Sequence, residues 1–334
     1  MRIYWATHQV VEAAGSAFGY TSASVNLLRA MSRHRDVEIA TPDSAEVCVH
    51  FCHPLRFNPL PGARNVLFTM YEFDPLPQEF KDAARKADAI VVPSEFCRKL
   101  FVENIGCDTP VRVSQLGFDP EVWTTSPGSH GTQPFTWLFA GDLNDRKGYH
   151  LVMEAWGAVF ADVPGVSLYM KLSGEGPAEE RKRIVRGNVT CDFRSLSRAE
   201  MVELFHGASA FVFPSMGEGW GLTAMEAAAT GLPVVATRCG GVEDFLQHRL
   251  TWWVKTHRHP VRISPKHGGG VAFGVRAEPR DIALAMRDVM AQYNQALRMA
   301  RKQARIMHDR FTWDDAAQSL VTLLDELSAD RWAA

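Results

Sequence analysis

The 334-residue chain has no apolar run long enough to cross a bilayer. No window reaches the roughly 18 uninterrupted apolar residues that a spanning helix requires. Its opening residues, MRIYWATHQV, lack the apolar core of a secretion signal, so a cytoplasmic protein is expected. A cysteine framework is missing too. The six cysteines, at 48, 52, 97, 107, 191 and 239, show no paired metal spacing and sit in apolar or small-residue surroundings. That pattern excludes a zinc-ribbon architecture and argues for reduced core thiols over a disulfide scaffold. Neither sign of charge dominates, since 36 Lys and Arg meet 38 Asp and Glu for a formal net charge of -2. The balance argues against a strongly basic nucleic-acid binder. Low-complexity segments and repeats are absent. So is a Gly-x-Gly-x-x-Gly turn followed about 20 residues on by an acid, which a dinucleotide oxidoreductase needs.

What remains is an alternating α/β pattern over a length that suits two domains. In the first half, short strands are expected at 2–6, 47–51, 66–71, 89–92 and 111–116, with helices at 22–33, 78–87 and 95–105. Such alternation gives a parallel sheet covered on both faces. Residues 124–134, TTSPGSHGTQP, are rich in Gly, Pro and Ser and read as a linker. The pattern then restarts with strands at 135–140 and 166–172 and helices at 148–160, 179–185 and 198–207. From 245 to 277 there is no carboxylate between Phe245 and Ala277, while Arg249, Lys255, Arg258, Arg262, Lys266 and Arg276 are basic. This stretch reads as a long decorated loop, with contact to a membrane surface or an anionic acceptor as the sharper alternative.

The densest signal is 211–241, FVFPSMGEGWGLTAMEAAATGLPVVATRCGG. A strand ends at Phe213, a Gly-rich turn runs from Pro214 to Gly221, and a small-residue helix follows from Leu222 to Thr230 before a second strand at 234–236. Free N–H groups and the positive helix end converge at the turn, where an anion such as a phosphate fits. Glu218 lies in the turn and Glu226 eight residues later in the helix. At a helical rise of about 1.5 Å per residue their separation is roughly 10 Å, about the reach of a sugar diphosphate from sugar to ribose.

These residues resemble the donor-domain motif of the retaining glycosyltransferases of family 4. The match consists of Pro214-Ser215, Glu218-Gly219-Trp220-Gly221-Leu222, Glu226-Ala227 and Gly231-Leu232-Pro233-Val234-Val235-Ala236. The resemblance implies the GT-B fold, two Rossmann-like domains facing a central cleft. An acceptor-binding domain is expected over 1–123, a nucleotide-sugar domain over 135–312, and a closing helix over 313–334 that returns to the first domain. It also implies a metal-independent, front-face transfer from a nucleoside diphosphate sugar, UDP- or GDP-linked, to an acceptor hydroxyl. No other cofactor is implied. The acceptor itself is left open among glycan, lipid-linked, protein and modified nucleic-acid classes.

Residue roles follow from the same resemblance. Arg146 and Lys147, in the turn GDLNDRKG, are expected to grip the diphosphate; many relatives carry Arg where this chain has Asp142. Glu226 is expected on the ribose hydroxyls and Glu218 beside the sugar, within a donor set that includes Gly219, Trp220, Gly221, Leu222 and Thr223. Arg194, Ser195 and Leu196 correspond to the segment near the nucleobase, and Ser173-Gly174-Glu175-Gly176 to a family turn. In the first half, Gly19 matches the small residue by the donor phosphates. Glu72 stands where many relatives have a His near the transferring sugar, with His50 and His53 as weaker candidates. A sugar-nucleotide-binding module without turnover, or an oxidoreductase, would be the alternative readings.

Overall fold

The computed structural model describes residues 1–6, 19–126, 134–174, 182–263 and 269–329. The chain divides into two compact units, one formed by 1–118, 260–273 and 310–334, the other by 119–259 and 274–309.

In the first unit, β1 (Arg2–Ala6), α1 (Gly19–Met31), β2 (Glu38–Ile39), β3 (Val47–Phe51) and β4 (Arg64–Phe68) are followed by α2 (Gln78–Ala84), β5 (Ala89–Val92), α3 (Glu95–Asn104) and β6 (Val111–Val113). The strands form one sheet in the order β2-β1-β3-β4-β5-β6, with parallel pairings throughout. β3 and β5 are buried at every position, which is why their sequences, VCVHF and AIVV, do not alternate. Ser94 caps α3 by accepting from the Cys97 N–H. Trp5 Nε1 donates to Ser24 Oγ at 3.0 Å and fastens α1 to β1.

The second unit contains β7 (Phe135–Asp142), α4 (Tyr149–Val159), β8 (Val166–Ser173), β9 (Arg183–Arg186), β10 (Val189–Asp192), α5 (Arg198–Gly207), β11 (Ala210–Phe213), α6 (Leu222–Ala229), β12 (Val234–Thr237) and β13 (Trp252–Val254). Its sheet runs β13-β12-β11-β7-β8-β10-β9, and only the β9–β10 pairing is antiparallel among the described residues. Large side chains close both faces: Trp137, Phe139, Trp156, Phe205, Phe211 and Trp220 are almost wholly buried. A hairpin of β14 (Thr256–Arg262) and β15 (Val271–Ala277) follows, then α7 (Pro279–Ala291), α8 (Tyr293–Arg310) and α9 (Trp313–Ser328). α9 belongs to the first unit and packs against α1. It buries Trp313, Ala316, Ala317, Leu320, Val321, Leu324 and Leu327, one stripe at helical spacing, and Thr312 and Asp315 close a capping box at its start.

Two sequence expectations are corrected. The expected helix over 179–185 lies partly outside the described residues, and Arg183–Arg186 is a strand. Its side chains are exposed at the sheet edge, where arginines discourage further pairing, and the Arg183 guanidinium stands over the Tyr169 ring at 5.5 Å. The expected loop over 245–277 instead contains β13, which extends the sheet beside β12, and the β14–β15 hairpin. Aromatic and β-branched residues in that stretch pay the cost of ordering by pairing, despite the basic charge. Arg238 lies 4.6 Å over the Trp253 ring, and His257 and His259 meet edge-on at 6.0 Å.

Candidate active site

β7 and β11 are neighbours at the centre of the second sheet, yet the chain leaves them toward opposite edges. The loops that follow two such strands open a crevice beyond their carboxyl ends, where ligands of doubly wound sheets bind. Here the loops are 143–148 and 214–221.

After β7, the Asn144 side chain accepts from the Arg146 N–H at 2.9 Å and curls Asp145–Lys147 into a single tight turn. Gly148 then adopts φ +72° and starts α4. A Cβ at that position would stand 2.3 Å from the Pro214 carbonyl oxygen, so the two loops can approach this closely only with glycine between them. Gly148→Ala should therefore destabilise the protein by at least about 1–3 kcal/mol, the range for a strained backbone, measured as a lowered urea midpoint. A midpoint equal to that of the unsubstituted protein would show that the loops can part without cost.

The second loop is fastened to its surroundings by backbone bonds. Met216 N–H donates to the Arg146 carbonyl at 2.7 Å, Glu218 N–H to the Cys239 carbonyl at 2.7 Å, and Gly241 N–H to the Glu218 carbonyl at 2.8 Å. Glu218 is thereby placed with its side chain against the first loop. Lys147 Nζ lies 2.7 Å from Oε1, Arg146 NH1 lies 3.2 Å from Oε2, and Ser215 Oγ donates to Oε1 at 2.7 Å. Arg146 NH1 also donates to the Gly217 carbonyl at 2.6 Å. Burial pushes the Glu218 carboxyl up, but Lys147, Arg146 and Ser215 outweigh it and hold the group at about 2. The stabilisation from this lowered group is in place above its ordinary value and fades as pH falls toward 2.

The helix after the turn starts at Gly221, whose φ of +102° and close approach to Val242 suit no other residue. Helix geometry leaves the Leu222 and Thr223 N–H groups without intrahelical partners, and both residues are half-buried at the mouth of the turn. Gly219 is buried. Trp220, expected in the donor set, is a core residue: it is 1% exposed, packs on Phe245 at 5.1 Å and donates from Nε1 to Met225 Sδ. Glu226 is half-buried on α6. Burial pushes its carboxyl up to about 8, against a weaker opposing pull from Arg198.

Arg194, Ser195 and Leu196 follow β10. The Arg194 guanidinium is locked onto Asp192, with Nε to Oδ1 at 2.9 Å and NH2 to Oδ2 at 2.6 Å, and its own N–H adds a third bond at 3.0 Å. Tyr169 Oη also donates to Asp192. Burial raises the Asp192 carboxyl, but Arg194 and Tyr169 win and hold it at about 2. Ser195 is exposed and Leu196 half-buried. Ser173 and Gly174 are described, whereas Glu175 and Gly176 lie outside the described residues.

In the first unit, Gly19 is the first residue of α1, and a Cβ there would meet nothing within 4 Å. Steric need for glycine is thus not visible at this position; residues 7–18, which complete the expected Gly-rich turn, lie outside the described residues. Glu72 is half-buried in the segment after β4. That segment is anchored by Tyr20, whose hydroxyl donates to the Met70 carbonyl at 2.8 Å and accepts from its N–H at 2.9 Å. His50 is buried, with Nε2 3.0 Å from Asn65 Oδ1 and its ring edge on Phe57. His53 caps a short turn by accepting from the Leu55 N–H. Both histidines therefore have local structural work.

Sequence reasoning missed three contributors. Ser215 lies in the motif with no role that the spacing assigns, and no motif marks out Arg198 or Asp192. An acid two residues before an arginine at the end of a strand was the available signal for Asp192. Among the described residues, no group of three or more His, Cys, Asp or Glu side chains is arranged to hold a metal ion, and no helix is long and apolar enough to cross a membrane.

Residues 94–320 match the model of a family described as family 4 glycosyltransferase in conflict systems. The chain belongs to this family. Within it, the matched region takes in both loops of the site and every second-unit residue assigned from the motif. Curated relatives are more distant. Glycogen synthase of Mycobacterium tuberculosis is 27% identical over 244 residues, covering 70% of this chain and 53% of that protein. D-inositol 3-phosphate glycosyltransferase of Pseudarthrobacter chlorophenolicus is 32% identical over 151 residues, covering 42% of this chain and 36% of that protein. The chain thus spans about half or less of the length of these relatives. Among solved structures, Anabaena Alr3699/HepE in complex with UDP-glucose aligns with a TM-score of 0.69 at 14% identity, covering 98% of this chain and 100% of that one. Sucrose-phosphate synthase from Thermosynechococcus elongatus gives 0.62 at 16% identity over 86% of this chain and 74% of that one. At such identities the likeness concerns the fold, which is GT-B.

Proposed function

We propose that the chain transfers a sugar from a UDP- or GDP-sugar to an acceptor hydroxyl with retention of configuration and without a metal ion. The observation that carries this reading is the pairing of two cations, Arg146 and Lys147, with one carboxylate, Glu218, at the crevice beside the start of α6. A nucleoside diphosphate leaving group needs fixed positive charge where its own negative charge develops, and these side chains with the helix N–H groups supply it. The complexes of Alr3699/HepE with UDP and with UDP-glucose support a nucleotide-sugar donor for this fold.

In the proposed step the bond from the sugar's anomeric carbon to the diphosphate oxygen breaks. The acceptor oxygen bonds to the same face of that carbon, and its proton passes to the departing phosphate. Glu226 binds the ribose hydroxyls, Glu218 reaches the sugar, and the segment at Arg194 borders the base. Glu72 and Gly19 are assigned to the sugar or acceptor and to the phosphates by family resemblance alone.

The test combines binding and turnover. A thermal-shift screen across UDP- and GDP-sugars should give a melting temperature that rises with one donor class, since a ligand of the folded state stabilises it. With that donor and no acceptor, slow release of nucleoside diphosphate should continue in excess EDTA. Complete loss of release in EDTA, restored by Mg²⁺ or Mn²⁺, would overturn the metal-free reading; the absence of any donor-dependent shift would overturn the donor reading itself.

A further inference from the structure

The two cations assigned to the diphosphate are already engaged. Lys147 and Arg146 hold the two oxygens of a single carboxylate, Glu218, whose side chain is only 6% exposed, while their own keep 16% and 19%. The cations thus present more of their side chains to solvent than the carboxylate they share. The backbone of Glu218 is fixed on both sides, by Cys239 and Gly241, and its side chain is tethered by Ser215, itself fully buried. Such an arrangement keeps two partly buried cations compensated when no ligand is bound. It also means that a diphosphate must compete with a resident anion for the same donors.

We propose that Glu218 serves as an internal counter-anion, which the donor's diphosphate displaces from Lys147 and Arg146. This rests on the proposed donor reading but adds an opposite sign to it. A residue that only touches the sugar adds nothing to the binding of an anion that has no sugar. A counter-anion weakens the binding of every such anion, including the nucleoside diphosphate product, and so favours product release. The low ionisation range of the carboxyl fits a group held by the two cations at every working pH.

The experiment is calorimetry on the full chain with inorganic pyrophosphate, which carries the diphosphate charge without base or sugar. Glu218→Gln should bind it at least about tenfold more tightly than the unsubstituted protein, the scale of one removed charge competitor. Adding Lys147→Met to that variant should abolish the gain. Equal or weaker binding by Glu218→Gln, or no binding by either protein, would overturn the proposal. Should circular dichroism show Glu218→Gln unfolded, Ser215→Ala becomes the readout. It keeps the carboxylate but releases its tether, and should tighten pyrophosphate about threefold, the value of a single hydrogen bond at its modest end; an unchanged constant would overturn the idea. UDP and GDP titrations on the same proteins separate the two claims. A pyrophosphate gain with no binding of either nucleotide would sink the donor reading and leave the counter-anion standing.

Discussion

Lys147→Ala should lower kcat by at least about 100-fold, the scale lost when one preorganised donor to a developing charge is removed. Lys147 is a compact ammonium on a flexible stem, only 2.7 Å from Glu218 and 16% exposed. In the proposed transfer the bound diphosphate has already taken the place of the carboxylate, and Lys147 follows the leaving oxygens as the glycosidic bond breaks, so its contact strengthens toward the transition state and its loss falls on turnover. Arg146 is different. Its NH1 is committed to the Gly217 carbonyl as well as to Glu218, so it holds the loop in shape while it offers charge. Arg146→Ala should raise KM and lower kcat together. Steady-state kinetics with the donor found in the thermal screen separates the two. A Lys147→Ala enzyme with raised KM and unaltered kcat would move the stabilisation of the leaving group to the N–H groups of α6.

Donor affinity should rise with pH, by at most about tenfold per pH unit, from near pH 5 until it levels off near pH 8. The cause is Glu226, whose carboxyl burial pushes up to about 8 when no ligand is bound. Two ribose hydroxyls donate best to the ionised form, so below that value binding must expel a proton. The sign for stability runs the other way. A group raised in the folded state stabilises fully below its unfolded value, and this contribution is lost as pH climbs through 8, at no more than about 1.4 kcal/mol per pH unit. Glu226→Gln should flatten both profiles, and Glu226→Ala should weaken donor binding by about 1–3 kcal/mol, the range for hydrogen bonds to a charged group. Calorimetry across pH 5 to 9 decides it: a flat affinity profile in the unsubstituted protein would remove Glu226 from the ribose.

Much of the second unit was legible because its signals are local. A buried strand, a glycine turn and a small-residue helix in sequence are enough to place Glu218 before α6 and Glu226 within it, and the structure has them there. Arg198–Gly207 and Ala89–Val92 were likewise set by caps and apolar runs of their own. Where neighbours decide, the sequence misled. The charged run near 183 reads as a helix by propensity, yet Arg183–Arg186 is drawn out by pairing with β10. The basic stretch after Phe245 reads as loop, yet Trp252–Val254 finds a free edge beside β12. Strand formation there depends on a partner distant in sequence, which no local window contains.

The sequence by itself determined the strand–turn–helix order around Glu218 and Glu226, the family and the chemical types in the site, because each rests on short-range spacing. Only the tertiary structure decided which charges meet. Lys147 and Glu218 are 71 residues apart, and their contact exists because β7 and β11 pair at the centre of the sheet and Gly148 lets the two following loops touch. Tertiary structure also separated Trp220, which turned into the core, from the polar residues beside it, and raised Glu226 while lowering Glu218. The two carboxylates carry the same intrinsic acidity. Two cations brought from another loop reach one of them, while burial with a single weaker opposing charge governs the other.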